Sequence, residues 1–248
     1  MPFWINILVG LLAFVVAALG GKALLPWLHK LKFGQPIKVD FGPSWHANKQ
    51  GTPTMGGLLF IFGSIIATAV GYALYRFFGT TDFVSTFSNR EALRLLSCMI
   101  FCLLFGVIGF IDDFCKVKFH KNEGLTAAQK FLLQLAAAIV FVVLLRYTGH
   151  ISNDLYIPFF NVTFYLPWVV YMIFAAFVIV GCVNAVNLTD GLDGLAAGTV
   201  MVVMLVMAAI AFRAGVLEPA LFAGALAGAC IGFLWFNSYP ADIFMGDT

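Results

Sequence analysis

Three acidic residues of this 248-residue sequence are placed as ligands of a divalent cation would be. Asp112 and Asp113 are adjacent at the end of an apolar run, and Asp247 lies next to the last residue. Neighbouring carboxylates repel each other, and a shared cation or a proton retained by one of the pair relieves the repulsion. Mg²⁺ prefers oxygen ligands and is usually held by one or two carboxylates together with phosphate oxygens and water.

Lysines that follow the aspartate pair favour a metal site over a simple solvated helix end. An isolated Asp-Asp pair is also typical of a solvated helix end. The lysines are Lys116, Lys121 and Lys130. Carboxylates beside lysines suit a bound metal-phosphate group better than a bare metal ion, so the pattern favours a phosphate ligand.

A second polar segment, residues 184–194, reads NAVNLTDGLDG, and its Asn and Asp residues recur at every third position. On a straight α-helix this spacing drifts by about 60° per step, so the four side chains would not share one face. Glycines allow the helix to break. We therefore expect a folded polar loop, with Asp193 capping the next helix. Its Asn and Asp side chains could hydrogen-bond a base or a ribose, whereas an ordinary polar turn needs fewer of them.

Two shorter segments also contain candidate ligand contacts. Residues 49–57 read KQGTPTMGG, which suits an approach to phosphate but lacks the Gly-Lys-Ser/Thr of a P-loop. A loop-to-helix junction rich in turn-forming residues explains that segment as well. In the segment 244–247, FMGD, Gly246 would let the backbone approach a ligand closely.

The composition places these segments in a membrane protein. Hydrophobic residues make up 62% of the chain and charged residues only 10%, against about 25% charged in soluble domains. Seven apolar stretches approach or exceed the minimum of about 17 residues that a membrane-spanning helix needs. They are approximately 5–25, 55–75, 95–111, 126–146, 166–183, 195–212 and 219–236. We predict an all-α polytopic bundle that forms one transmembrane domain over residues 1–248.

The loop charges predict the orientation of this bundle. With seven spans, nine lysines fall on one side and five arginines on the other, so the lysine side is predicted to be cytoplasmic and the N-terminus to be outside. Eight of the twelve acids and all four polar segments lie on that same face. A net charge of +2 and the lack of a basic stripe argue against a nucleic-acid partner.

Together the quoted segments resemble the phospho-N-acetylmuramoyl-pentapeptide transferase family of the polyprenyl-phosphate hexose-1-phosphate transferases. The resemblance runs from about residue 33 to the last residue, and the string 184–196 is its most specific part. It implies ten transmembrane helices in the bacterial inner membrane, both ends outside, and a site facing the cytoplasm. Because the family continues into further helices and a histidine-rich loop, a chain with seven spans is expected to be part of a longer protein.

The resemblance also implies a reaction and a set of site residues. The reaction joins UDP-N-acetylmuramoyl-pentapeptide to undecaprenyl phosphate with Mg²⁺, giving lipid I and UMP; a homodimer is left open. Asp112, Asp113 and Asp247 are implied to be catalytic and to bind the metal. The implied substrate contacts are Lys49, Thr54, Lys116, Lys121, Lys130, Asn184, Asn187, Asp190, Gly191, Leu192, Asp193, Asn237 and Phe244.

Two other function classes stay open at this point. A related transferase could use UDP-N-acetylglucosamine instead, although the segment 51–57 resembles the muropeptide branch more. A transporter would also carry acids within a membrane protein, but transporters tend to place them near the bilayer midplane in broken helices. Here the acids lie at the ends of spans, which argues against transport.

Overall fold

Seven long helices and one two-stranded sheet form the part of the chain that a computed structural model describes, residues 3–30, 52–78, 89–119 and 124–248. The helices are α1 Phe3–Lys30, α2 Gly57–Phe78, α3 Asn89–Phe119, α4 Ala127–Tyr147, α5 Trp168–Thr189, α6 Leu195–Arg213 and α7 Leu217–Asn237. The strands are β1 Asp154–Ile157 and β2 Val162–Tyr165. All seven helices are long and apolar enough to cross a membrane. The predicted all-α polytopic fold is therefore confirmed.

The centre of the bundle is α7, which packs against α1, α2 and α6. Its buried positions are largely small residues, among them Ala220, Ala225 and Ala229. At Gly228 an added Cβ would collide with the backbone of Gly10 on α1. Small residues permit this approach, and close packing is a main source of helix association in a bilayer.

The hairpin that joins α4 to α5 was not predicted from the sequence. Its strands pair antiparallel from Asp154 opposite Tyr165 to Ile157 opposite Val162. It lies at the end of the bundle where α4 ends and α5 begins. The aspartate pair and Lys116 lie near the C-terminal end of α3, at the opposite end of the bundle from the hairpin. We call this end of the bundle the site end.

Two helices continue beyond the apolar runs that predicted them. The helix α3 extends past residue 111 to Phe119, so the aspartate pair lies within it, and α5 extends past residue 183 to Thr189. The expectation of a folded loop over all of 184–193 was wrong, since Asn184 and Asn187 are helical. Hydropathy marks where apolar side chains end, whereas backbone hydrogen bonding continues into the polar residues.

The turn between α5 and α6 corrects a second expectation. Gly194 occupies the N-cap position of α6 with a φ of 74° and no side-chain cap. Asp193 instead accepts a hydrogen bond from the backbone nitrogen of Ala241 at 3.2 Å. The predicted capping role of Asp193 was wrong, because the left-handed backbone at the cap position favours glycine.

Candidate active site

Asp112 and Asp113 are neighbours on α3, but their side chains have different partners. One oxygen of Asp112 accepts a hydrogen bond from the backbone nitrogen of Leu125 at 2.7 Å. The other lies 2.6 Å from the ammonium of Lys116, one turn further along α3. Asp112 therefore ties the end of α3 to the start of α4 and holds a cation beside itself.

Asp113 is fully buried and binds the end of the described chain. Its Oδ1 accepts a hydrogen bond from the backbone nitrogen of Asp247 at 3.0 Å. Its Oδ2 accepts from the backbone nitrogen and the hydroxyl of Thr248, at 3.0 and 2.6 Å. Three donors thus converge on one carboxylate, and they fix the backbone that presents Asp247.

The segment 244–248 is also held from its other side by the residues before α2. The backbone nitrogen of Phe244 donates to Pro53 at 2.8 Å. In return, Gly56 and Gly57 donate to the carbonyls of Phe244 and Met245 at 2.9 and 3.0 Å. These backbone contacts hold the segment against the start of α2.

A glycine on α3 makes room for this segment. A Cβ built on Gly109 would collide with the backbone carbonyl of Asp247, so any larger residue at 109 would push the segment away from α3. Gly246 adopts a φ of 78°, in the left-handed region that favours glycine. Both glycines are therefore required for the position of the Asp247 carboxylate.

Asp247 is the point on which three helices converge. Lys116 of α3 contacts its Oδ2, while Lys130 of α4 lies 2.8 Å from Oδ1. The side-chain amide of Asn187, on the last turns of α5, also donates to Oδ1. Burial alone would raise the pKa of Asp247, but hydrogen bonding with Asp112 and with the two lysines holds that pKa well below its ordinary range. Asp247 is therefore a stable anion.

Asp190, which follows α5, has the opposite electrostatic character. Burial, together with the negative charges of Asp247, Asp193 and Asp113, raises the pKa of Asp190 to about 7. Among the residues that the structure describes, the carboxylates at the site end thus outnumber the lysines that contact them.

Comparison with known proteins shows which family this chain resembles. Residues 95–248 match the model of Glycosyl transferase family 4, and residues 49–61 match phospho-N-acetylmuramoyl-pentapeptide-transferase signature 1. A phospho-N-acetylmuramoyl-pentapeptide-transferase of Clostridium acetobutylicum is 43% identical over 96% of this chain and 69% of its own length. Proteins of the same name from Geobacillus thermodenitrificans and Bacillus subtilis are 41% and 40% identical, over 100% and 96% of this chain and 72% and 68% of their own.

The chain belongs to the phospho-N-acetylmuramoyl-pentapeptide-transferase family. The resemblance seen in the sequence is thereby confirmed, and the protein is a multi-pass membrane protein of that family.

The acidic residues of this family member fit a hard divalent cation. Asp112, Asp113 and Asp247 each offer a carboxylate oxygen, and these oxygens lie within 4.8 Å of one another. Buried beside them is the hydroxyl of Thr54, which has no hydrogen-bond partner. Oxygen donors of this kind suit Mg²⁺ rather than a thiophilic metal. Asp113 and Asp247 each already accept from three donors, so Asp112 is the freer ligand.

The other predicted site residues differ in their surroundings. Lys49 and Lys121 lie outside the described residues. Asn184 lies one turn deeper in the membrane than Asn187 and donates to Gln134. The loop after α5 is largely accessible: Gly191 is exposed, and Leu192 is 59% exposed.

Asn237, also predicted as a substrate contact, is buried within the chain's own backbone contacts. Its Oδ1 accepts from the backbone nitrogen of Gly194 at 3.0 Å, and its Nδ2 donates to the carbonyl of Ile243 at 2.9 Å. It therefore joins the start of α6 to the segment that carries Asp247. Phe244 lies in that same segment and is partly exposed.

The sequence analysis missed three residues that shape this site. They are Gly109, Gln134 and Thr248. Gln134 carried a readable signal, because it is a polar residue one turn beyond Lys130 in an otherwise apolar stretch. Gly109 and Thr248 carried none, since their importance depends on contacts with residues more than 100 positions away.

Proposed function

We propose that the protein transfers phospho-N-acetylmuramoyl-pentapeptide from its uridine diphosphate donor to undecaprenyl phosphate, giving lipid I and UMP in peptidoglycan synthesis. The observation that carries the proposal is the meeting of Asp112, Asp247, Lys116 and Lys130 at one end of the bundle. The names of the relatives specify the transferred group. We place the site on the cytoplasmic face of the bacterial inner membrane, which the distribution of lysines supports.

The chemistry requires two anions to approach each other. An oxygen of the lipid phosphate forms a bond to the β-phosphorus of the donor, and the bond from that phosphorus to the bridging oxygen breaks. UMP leaves with the bridging oxygen and its electron pair. The site residues must therefore offset repulsion and align the reactants, because phosphoryl transfer depends mainly on positioning and electrostatics.

Lysines and carboxylates can divide this work. Asp112, Asp113 and Asp247 would hold Mg²⁺, which would supply positive charge to offset repulsion between the reactants and to stabilise the leaving group. Lys116 and Lys130 are held at the same point by Asp247 and supply fixed positive charge for phosphate oxygens.

The lipid phosphate needs little help from a base, since the second pKa of a phosphate monoester is about 6. Asp112 is the better candidate to take a residual proton or to position the acceptor, because Asp113 already accepts three hydrogen bonds. A covalent route, in which an aspartate attacks first, stays open. Trapping of phosphorylated enzyme in Asp-to-Asn variants would exclude the direct route.

An apolar groove supports a lipid acceptor. It has a volume of about 420 Å³ and lies between α4 and α5, where Phe131, Leu135 and Phe177 are among its lining residues. Asn184 lines it as well, one turn from Asn187 and therefore from Asp247. A polyprenyl chain in this groove would have its phosphate near the site end.

Metal-dependent release of UMP from protein in lipid nanodiscs tests the proposal. We expect release from UDP-N-acetylmuramoyl-pentapeptide with undecaprenyl phosphate and Mg²⁺, and none after chelation of the metal. Parallel reactions with UDP-N-acetylglucosamine test the alternative donor. Release of UMP from that donor alone would assign the protein to the N-acetylglucosamine branch. Absence of release from either donor would contradict a transferase function.

A further inference from the structure

A polar contact between α4 and α5 lies one turn deeper in the membrane than the proposed site. The side-chain oxygen of Gln134 accepts a hydrogen bond from the side-chain amide of Asn184 at 2.7 Å. The same amide donates to the carbonyl of Val180 at 2.8 Å. Gln134 is only 3% exposed, and no reacting group touches it in the arrangement described above.

This contact is in register with the contacts to Asp247. Lys130 and Gln134 are four residues apart on α4, and Asn184 and Asn187 are three residues apart on α5, so each pair shares a helix face. Lys130 and Asn187 both reach Oδ1 of Asp247. Gln134 and Asn184 pair directly, one turn below. The two helices are therefore joined twice on the same side.

The deeper contact is important because α5 has few other constraints. Among the described helices, α5 packs mainly against α4 and only slightly against α6, and it is the least buried of the seven spans. The buried residues at its contact with α4 are Ala138, Ala176 and Val180. Such apolar contacts are not directional, so they allow rotation and sliding. A hydrogen bond inside the membrane is directional and sets one register.

We infer that Gln134 is a positioning residue of the site: its bond to Asn184 fixes the rotation and height of α5 against α4. It thereby holds the amide of Asn187 on the oxygen of Asp247 that Lys130 also contacts. This inference rests on the proposed function. It assigns Gln134 no contact with substrate, and its effect passes through Asn187.

The variant Gln134→Met removes the acceptor and keeps the length of the side chain. We expect its kcat for UMP release to fall about 10- to 100-fold, because small displacements of catalytic groups have effects of this size. The KM for the donor should change less than about threefold, since donor-binding groups are retained. Gln134→Glu keeps an acceptor oxygen and should recover most of the lost kcat.

A readout independent of turnover is the concentration of Mg²⁺ that gives half-maximal thermal stabilisation. Gln134→Met should raise that concentration about tenfold, as loss of a supporting hydrogen bond does at other metal sites. Thr68→Val is the matched control, because Thr68 is fully buried on α2 and, among the described residues, its hydroxyl bonds within its own helix, to Ser64. It should lower thermal stability without changing kcat or the Mg²⁺ midpoint.

A double variant decides whether Gln134 acts through Asn187. Gln134→Met combined with Asn187→Ala should be no slower than Asn187→Ala alone, since the connection is already lost. Losses that multiply, or a Gln134→Met protein with wild-type kcat and Mg²⁺ midpoint, would overturn the inference. If the unaltered protein releases no UMP, the proposed function fails instead, and the Mg²⁺ midpoints still test the role of Gln134.

Discussion

The helix α3 makes charged contacts near both of its ends, and among the described residues the two sets of contacts differ in the balance of cations and anions. At the end away from the site, Arg94 of α3 contacts Glu218 in the first turn of α7. The distance from guanidinium to carboxylate is 2.6 Å, and the Glu218 side chain is 5% exposed. Among the described residues, one cation meets one anion there.

At the site end, carboxylate groups outnumber ammonium groups among the described residues. Three carboxylates, of Asp112, Asp113 and Asp247, surround two ammonium groups, of Lys116 and Lys130. Burying excess negative charge is costly unless another cation joins it. The comparison teaches that a matched ion pair can serve packing alone, whereas a buried cluster rich in carboxylates favours the binding of a divalent cation. Variants at the two ends should therefore affect different properties.

The largest expected effect is that of Asp247→Asn. This change keeps the shape of the side chain but removes the anion on which the lysines converge. We expect UMP release to fall by at least about 10³-fold, at the upper end of what loss of one electrostatic group causes, while the protein stays folded. The matched control is Asp242→Asn, an exposed acid of the same segment, which should keep nearly full activity. A similar loss in both variants would contradict a special role for Asp247.

Asp113→Asn should follow, with a loss of about 100-fold in UMP release. Asparagine replaces one carboxylate oxygen by an NH₂ group, which is a donor. That group would face a backbone N–H of Asp247 or Thr248, and the hydrogen bond on that side would be lost. Thermal stability should therefore fall together with activity. In Asp112→Asn the activity should fall with a smaller loss of stability. Equal thermal shifts in the two variants would refute the distinction between an anchoring and a reacting aspartate.

Much of this arrangement follows from the sequence, and the reasons are physical. Hydropathy identifies the seven spans because a bilayer demands long apolar helices. The parity of the spans then places Asp112, Asp190 and Asp247 on one face. Hydropathy does not show where a helix ends, because helical hydrogen bonding can continue into polar residues. The helices α3 and α5 were therefore predicted too short.

Finer roles depend on contacts that are distant in sequence. The sequence shows that Asp113 lies beside Asp112, but not that it faces the backbone at residues 247–248. The same limit applies to Gln134, whose partner Asn184 is 50 residues away. Resemblance to a family supplies candidate residues, whereas the division between ligands and anchors requires the geometry.

A smaller, pH-dependent effect is expected at Asp190. Its pKa rises to about 7 in the folded protein, first through burial and then through the neighbouring carboxylates, and lies near 3.9 in an unfolded chain. The folded state thus retains a proton that the unfolded state releases, so stability falls as pH rises from about 4 to about 7 and levels off above.

Asp190→Asn should remove this component, because asparagine does not titrate. We expect the difference in Tm between the metal-free variant and the metal-free unaltered protein to grow by a few degrees from pH 5 to pH 8. Added Mg²⁺ should reduce the difference, since a nearby cation favours the carboxylate. Parallel pH profiles for both proteins would show that the environment of Asp190 is not as described.

The smallest effect on activity belongs to the ion pair at the opposite end. Arg94→Ala leaves the buried carboxylate of Glu218 without its partner, which should cost about 1–3 kcal/mol of stability, visible as a lower Tm. UMP release per folded protein should stay within about twofold, because the pair lies at the far end of α3 from Asp112. Exchange of the two residues, Arg94→Glu with Glu218→Arg, should restore only part of the stability, since a cation in the first turn of α7 opposes the helix dipole. A loss of activity comparable to that of Asp247→Asn would mean that the two ends are coupled through α3 and α7, and the contrast between a packing pair and a reactive cluster would then fail.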